Sequence, residues 1–405
     1  MAVGNAPLPT FEPVDGIRIG VANAGIKQVK RPDITVFEIT DGATVAGVFT
    51  RNAFCAAPVQ VCKKHLAIDS ARYFLVNTGN ANAGTGEPGM QAALDCVQAL
   101  AKKVSVPESQ ILPFSTGVIG EPLRVDKVVG ALDAALENLS ADHWAEAATA
   151  IMTTDTRPKG VFRTLEIAGK PVKIAGISKG AGMIRPNMAT MLAYVAVDAK
   201  VSQPLLQNII SEATRLSFNR ITVDGDTSTN DSCMLVATGK SDLDVDVLSE
   251  DELWLFRQAI NMVFVELAQL IIRDGEGATK FVHVKVDGGK NEVECEKVAF
   301  TVAESPLVKT ALFASDPNWG RILAAVGRSG IDDLDVTKVG VTINNVLIAE
   351  KGGRAASYTE AMGVEALAKE DIVIHISLQR GAAEATVWTT DFSYDYVKIN
   401  AEYRS

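Results

Sequence analysis

Cysteine is scarce and scattered. Cys55, Cys62, Cys96, Cys233 and Cys295 are an odd number spread over 405 residues, which excludes a disulfide framework and points to reduced, mostly buried thiols. Metal-binding pairs are missing too: Cys55, Cys62 and His65 would begin a site, but no second pair at finger-like spacing answers them. No metal or cofactor is expected. Positive charge is not in excess, since the formal net charge of -10 leaves no basic stripe for nucleic acid. No helical pattern carries the basic face that an anionic membrane surface attracts. Long hydrophobic runs are absent as well; the longest apolar window, Ala259 to Ile272, carries Glu266 and is too short to cross a bilayer. The opening Met-Ala-Val-Gly-Asn-Ala-Pro-Leu-Pro has neither the basic nor the apolar region of a secretory signal, so a cytoplasmic location is expected. Neither an internal repeat nor a low-complexity linker divides the chain.

What is present is the composition of a globular protein, 47% hydrophobic and 22% charged. At this length a single core usually stops growing, so two lobes or one large layered domain are expected. From Ile17 to about Ala67 the pattern reads as short strands, among them Ile34 to Ile39 and Ala46 to Thr50 around a turn at Asp41-Gly42. Tyr73 to Val76 reads as a buried strand, followed by a loop from Asn77 to Gly89 and a helix from about Met90 to Val104. A short strand, Gln110 to Phe114, ends at Ser115-Thr116-Gly117. Helical patterns over Val125 to Leu139 and Asp142 to Met152 precede paired strands at Gly160 to Ile167 and Val172 to Ile177. Beyond lie a strand from Met191 to Val197, a helix from about Pro204 to Ser217, and a strand near Cys233 to Thr238. Ser249-Glu-Asp-Glu252 matches a capping box that opens a helix running to about Arg273, stopped by Gly275 and Gly277. The last third reads as strand-rich: Lys280 to Val286, Val298 to Val302, Val339 to Ile343 with Val346 to Ala349 across Asn344-Asn345, and Ile372 to Leu378. The fold class is α+β, an α/β layered protein with a weak boundary near residue 280.

Between two of these strands lies the segment on which the functional reading turns. Lys179-Gly-Ala-Gly-Met-Ile-Arg-Pro-Asn-Met-Ala-Thr-Met-Leu192 is too rich in Gly and Pro to be helical, and it delivers the hydroxyl of Thr190 to a strand start. A Thr there is ordinarily a β-former. If its own hydroxyl cuts the peptide bond before it, however, it gains an α-amine with a pKa of about 8 as a built-in base. Three other motifs compete. Gly176-Ile-Ser178-Lys-Gly180 matches a serine nucleophile elbow, but the turns after it make poor helix, and the downstream bases His283 and His375 fall inside strand patterns. Gly84-Thr-Gly86-Glu-Pro-Gly89 has dinucleotide-loop spacing, yet seven residues separate it from the preceding strand, and Pro88 lacks an amide. Asp224, Asp226, Asn230 and Asp231 supply hard oxygens for a cation, although Asx turns account for them equally well.

The segment resembles the self-cleavage site of the ornithine acetyltransferase family, also called glutamate N-acetyltransferases, which process between the Ala and the Thr. Six further blocks carry the resemblance along the whole chain: Asn77 to Ala83, Ser115 to Gly120, Asp224 to Asp231, Arg273 to Gly277, Asp316 to Arg321 and Ile399 to Ser405. It implies a helix-sheet-sheet-helix sandwich like that of N-terminal-nucleophile enzymes. It also implies cleavage between Ala189 and Thr190 into fragments 1–189 and 190–405, residues 190–279 completing the core and 280–405 forming a smaller strand-rich lobe. Thr190 is then the nucleophile, and Thr116 with Gly117 the oxyanion hole. Thr153, Lys179, Thr190, Glu276, Asn400 and Ser405 become substrate contacts, with Lys179 suited to an α-carboxylate and Glu276 to an ammonium. The implied partners are N-acetylornithine, glutamate and in some members acetyl-CoA, acting on a heterotetramer of two copies of each fragment. A self-processing amidase or aminopeptidase using water with the same nucleophile, a Ser178 hydrolase and a non-catalytic amino-acid binder are the alternatives that the residues leave open.

Overall fold

The computed structural model describes residues 2–27, 31–185 and 191–402. Strands β1 (Ile17–Ala22), β2 (Ile34–Ile39) and β3 (Thr44–Phe49) come first, followed by helix α1 (Ala57–Leu66). Next, β4 (Tyr73–Asn80), α2 (Gly86–Val104) and β5 (Ile111–Val118) make a crossover that leaves β4 and β5 parallel. Helices α3 (Val125–Glu137) and α4 (Trp144–Ala150) lead into a hairpin of β6 (Lys159–Ile167) and β7 (Lys170–Lys179). Then come β8 (Leu192–Val197), α5 (Gln203–Leu216), β9 (Ser232–Ala237) and α6 (Glu250–Arg273). The rest comprises β10 (Phe281–Gly289), α7 (Glu292–Ala303), α8 (Pro306–Phe313), α9 (Trp319–Gly327), β11 (Gly340–Ile343), β12 (Val346–Glu350), β13 (Gly353–Arg354), α10 (Glu360–Leu367), β14 (Asp371–Ser377), β15 (Ala383–Thr390) and α11 (Tyr394–Ala401).

Among the described residues the strands form three sheets, ordered β1-β2-β4-β5, β3-β9-β8-β7-β6 and β13-β12-β11-β14-β10-β15. Strand alternation decides how the first two stack, because side chains of period two serve opposite faces. On β2, Phe37 and Ile39 point to the second sheet, while Ile34 and Val36 pack under α2 and α3 with Val97, Leu100 and Leu132. On β8, Leu192, Tyr194 and Ala196 face the first sheet, and Ala193, Val195 and Val197 face Ile210 of α5 and Phe264 and Leu267 of α6. The result is a helix-sheet-sheet-helix sandwich, as expected. Apolar residues on both faces of β8 also explain why it reads as a continuous run.

α6 begins with the expected capping box, Ser249 Oγ accepting from the Glu252 amide while the Glu252 carboxylate accepts from the Ser249 amide. At 24 residues it exceeds the apolar window read from the sequence, and by length and composition alone it could cross a bilayer. Its apolar side chains Ile260, Val263, Phe264 and Leu267 instead pack against the second sheet and α5.

Several expectations are corrected. Residues 57–66 are helical and not part of a run of strands. Val59-Gln-Val61 mimics alternation and both valines are buried, but Ala57, Pro58, Val61 and Cys62 add a buried face at helical spacing, and Cys62 Sγ donates to Pro113 O at 2.9 Å. Val298 to Val302 is likewise helical. Cys295, Val298, Ala299 and Val302 form one i, i+3, i+4, i+7 face, and Asn291 caps the first turn through the Glu294 amide. Finally, β4 and β5 continue past Val76 and Phe114, α2 starts four residues early, and the described residues of the last third hold five helices, α7 to α11, besides their strands. Polar tails such as Asn77-Thr-Gly-Asn80 look like loop, yet the parallel pairing of the two strands extends them.

Tyr194 lies between the two central sheets, its ring 4.9 Å from Phe37 and 5.3 Å from Phe114, and its buried hydroxyl has no hydrogen-bond partner. An unmatched buried hydroxyl is unfavourable. Tyr194→Phe is therefore expected to raise stability by about 1 kcal/mol, whereas Tyr194→Ala should cost about 3–5 kcal/mol through lost burial and a cavity. Midpoints of urea unfolding of the whole protein check both.

Candidate active site

Separate elements supply the residues named from the sequence. Thr116 and Gly117 end β5, Thr153 follows α4, Lys179 ends β7, Glu276 follows α6, and Asn400 lies on α11. All of them line one cavity of about 220 Å³. Ala189, Thr190 and Ser405 lie outside the described residues. The chain on either side of 186–190 is held, however: Ile184 O accepts from the Val223 amide at 2.7 Å, Arg185 O from Thr227 Oγ1 at 2.9 Å, and Met191 O from the Ser232 amide at 2.9 Å. Met191 and Leu192 reach a small extension of the cavity that Thr116, Lys179 and Gly182 share. The segment ahead of β8 thus starts and ends beside the cavity.

Gly117 is required by geometry. Its φ is +136°, and a Cβ there would come 2.2 Å from the Gly79 carbonyl carbon on the neighbouring strand. Beside it, Lys179 Nζ donates to Thr116 Oγ1 at 3.1 Å. A hydroxyl is one donor as well as an acceptor, so this contact leaves the Thr116 proton available to a third group. Thr116 and Gly117 can therefore aim an O–H and an N–H at one negative oxygen.

Lys179 is buried, which by itself disfavours its charged form and moves its pKa below the ordinary lysine value; the Asp155 carboxylate opposes this. Asp155 belongs to a triad in which the Lys159 ammonium sits between Asp155 and Asp274, 2.6 Å from an oxygen of each, with all three side chains wholly buried. Burial would raise the Asp155 pKa, but the charges of Lys159 and Lys179 and the Gly180 amide outweigh it and hold the carboxyl well below the usual carboxylate range. The same carboxylate accepts from the amides of Gly180 at 2.7 Å and Thr153 at 2.9 Å. Asp155 thereby fixes the backbone beside two of the cavity residues. Nothing local in Met152-Thr-Thr-Asp155 distinguished it from a turn residue.

Across the cavity, Glu276 Oε2 accepts from Asn400 Nδ2 at 2.9 Å, and the Glu276 carboxylate lies where a Gly182 Cβ would project. The run Asp224 to Asp231 does structural work. Asp224 accepts from the amides of Met183 at 2.6 Å and Ile184 at 3.0 Å, clamping the approach to residues 186–190. Asn230 donates to Ala81 O and Ser115 O, and Asp231 is buried with one oxygen unpaired and its pKa driven well above the ordinary value by desolvation. Among the described residues, no cluster of His, Cys, Asp or Glu is arranged to hold a metal ion. Ser178 does not form an elbow: β7 runs through it to Lys179, its buried hydroxyl is unpartnered, and among the described residues between β7 and β8 there is no helix. His283 bonds Trp388 and His375 bonds Asp287, both on the third sheet.

A model of the ArgJ family matches residues 18–405. The chain is 59% identical over 406 residues to the arginine biosynthesis bifunctional protein ArgJ of Pseudomonas fluorescens, and 58% identical over 408 residues to that of Pseudomonas syringae pv. tomato, with full coverage of both chains in each case. The crystal structure of arginine biosynthesis bifunctional protein ArgJ from Bacillus halodurans is 35% identical, with a TM-score of 0.47, over 50% of this chain and 95% of that one. The match over nearly the entire length, together with the two full-length relatives, establishes that this chain belongs to the ArgJ family.

Proposed function

We propose that this chain is a glutamate N-acetyltransferase of arginine biosynthesis that moves acetyl from N2-acetylornithine to glutamate through an acetyl ester on Thr190. The supporting observation is the convergence of Thr116, Gly117, Thr153, Lys179, Glu276 and Asn400 on one cavity in a chain of this family. The nucleophile is made by the chain itself. Thr190 Oγ attacks the Ala189 carbonyl, the amide becomes an ester, and water hydrolyses the ester to leave an Ala189 carboxylate and a free Thr190 amine. That amine lies a few bonds from Oγ and titrates near neutrality, so no separate histidine is needed.

In the first half-reaction Thr190 Oγ attacks the acetyl carbonyl as the Thr190 amine takes the hydroxyl proton. The Thr116 hydroxyl and Gly117 amide hold the oxyanion. The C–N bond then breaks, the proton passes to the departing nitrogen, and ornithine leaves. In the second half-reaction the neutral amine of glutamate attacks the ester, its proton returns by way of the Thr190 amine to Oγ, and N-acetylglutamate departs. Lys179 pairs with the substrate α-carboxylate and Glu276 with the ornithine ammonium, while Thr153, Asn400 and Ser405 complete the contacts. Acetyl-CoA serves as a second acetyl donor, in keeping with the bifunctional relatives. The chemistry uses no cofactor. The enzyme acts on small-molecule substrates in the cytoplasm as a heterotetramer of two copies of each fragment.

Denaturing electrophoresis of the active protein is expected to show fragments 1–189 and 190–405, and Thr190→Ala should stay uncut and inactive. A single intact chain with full activity would refute the mechanism, and acetate release that needs no glutamate would favour an amidase. For Thr116→Ala, loss of one oxyanion donor predicts a fall in kcat of about 10²–10³ with little change in KM. Steady-state kinetics with N-acetylornithine and glutamate measure this. Asp155→Asn would leave Lys159 and Lys179 short of buried negative charge and should cost about 3–5 kcal/mol. Because the native carboxyl titrates far below the unfolded value of about 3.9, that difference should be complete above the unfolded pKa and shrink only as pH falls toward the folded one. Unfolding of both proteins between neutral and acid pH tests the sign.

A further inference from the structure

The proposed reaction sets a charge problem that the first cavity does not solve. Ornithine ends in an ammonium and glutamate in a carboxylate, yet both must present an α-amino nitrogen to the same acetylated hydroxyl. Glu276, held by Asn400, favours the first side chain and repels the second. A second cavity, of about 230 Å³, shares Gly117, Thr153 and Thr154 with the first and is lined on its other side by Lys27 and Arg31.

We propose that this second cavity is the subsite for the side-chain carboxylate of the acyl acceptor, with Lys27 as the cation that recognises it. The inference rests on the transferase reading above. Its floor is the seam where Gly79 pairs with Gly117, and the Lys27 stem lies across that seam, with Cγ 3.2 Å from where a Gly79 Cβ would stand. Lys27 thus lines this cavity beside the strand pair that carries the candidate oxyanion donor. Arg31 adds positive charge and is itself anchored, donating to Met152 O at 2.5 Å and Thr153 O at 3.2 Å. The acidic residue of the lining is Asp33, and its oxygens already accept from the amides of Ala24 at 2.6 Å and Ile26 at 2.7 Å, shaping the loop that carries Lys27. An amino acid with its amine at Gly117 can therefore send a cationic side chain toward Glu276 or an anionic one toward Lys27. Two half-reactions of opposite side-chain charge use one nucleophile and separate walls.

The test compares glutamate with glutamine, its neutral isostere, as acceptor for the self-cleaved protein with N-acetylornithine as donor. Wild type should prefer glutamate in kcat/KM by about tenfold or more, the loss expected when a recognised charge is removed. In Lys27→Met the ratio should collapse toward one, and Lys27→Arg should keep it. Exchange of labelled ornithine into N-acetylornithine reports acylation and its reversal without glutamate and shows that each variant is folded; if Lys27→Met lacks exchange, Lys27→Gln is read instead. Exchange retained with an unmoved ratio would overturn the subsite. An unmoved ratio with a raised KM for acetyl-CoA would overturn it in favour of a phosphate occupant. Wild-type protein without exchange would overturn the transferase reading, and the subsite with it.

Discussion

The buried Lys159 ammonium, shared by Asp155 and Asp274, is the contact on which the cavity depends. Burying three charges is costly, and such a cluster is weak evidence of net stability; its value lies in the geometry it enforces. Lys159 begins β6, Asp155 follows the turn bearing Thr153, and Asp274 caps α6 two residues before Glu276. One cation therefore locks together the carriers of both proposed substrate charges. Asp274 also accepts from the Thr156 amide at 3.0 Å and from its hydroxyl, and Asp155 accepts from Thr153 and Gly180, so the carboxylates' remaining lone pairs are used. With Lys179 included, two cations face two anions. This near-neutral set leaves Glu276 as the negative wall of the cavity, which a cationic substrate can complement.

Legibility in the sequence followed the range of the interaction that decides each feature. The α6 cap rests on residues three apart and was readable, as was the turn at Asn344-Asn345, where positive φ at both positions suits the two asparagines. α1 and α7 were misread because short Val-rich stretches show period two within a few residues, while the helical face emerges only over a full seven. The ends of β4 and β5 were missed for another reason: Asn77, Gly79 and Gly117 are poor strand formers that become strand by the parallel pairing of Asn77 with Ser115 and Gly79 with Gly117. Tertiary contact overrode propensity there.

The site divides the same way. Thr116, Gly117, Lys179 and Glu276 carry no local mark of function, and their roles were suggested by family likeness; only folding brings them within one cavity. Asp155 was invisible as a site residue because what it does for the cavity it does through the Thr153 and Gly180 amides, which no side-chain motif encodes. Asp224 was visible but left between cation binding and an Asx turn, since an acid that accepts amide hydrogens and one that ligates a cation look alike until the amides of Met183 and Ile184 are located.

A backbone break ahead of Thr190 looks hazardous for a folded chain, yet the topology makes it mild. β7 would lie in one fragment and β8 in the other, paired antiparallel from Ile174 with Val197 to Lys179 with Leu192. β3 from the first fragment pairs along its whole length with β9 from the second. The middle sheet is thus sewn from both pieces at two seams, and the core between the central sheets draws Phe37, Phe74 and Phe114 from one fragment and Tyr194 and Met234 from the other. Neither piece could bury its apolar faces alone, so the cut cannot create two independent domains. What it would change is local: a new amine and a new carboxylate would appear where the chain is already pinned by Asp224 on one side and Ser232 on the other. Cleavage at this point would generate a base without loosening the walls that must aim it.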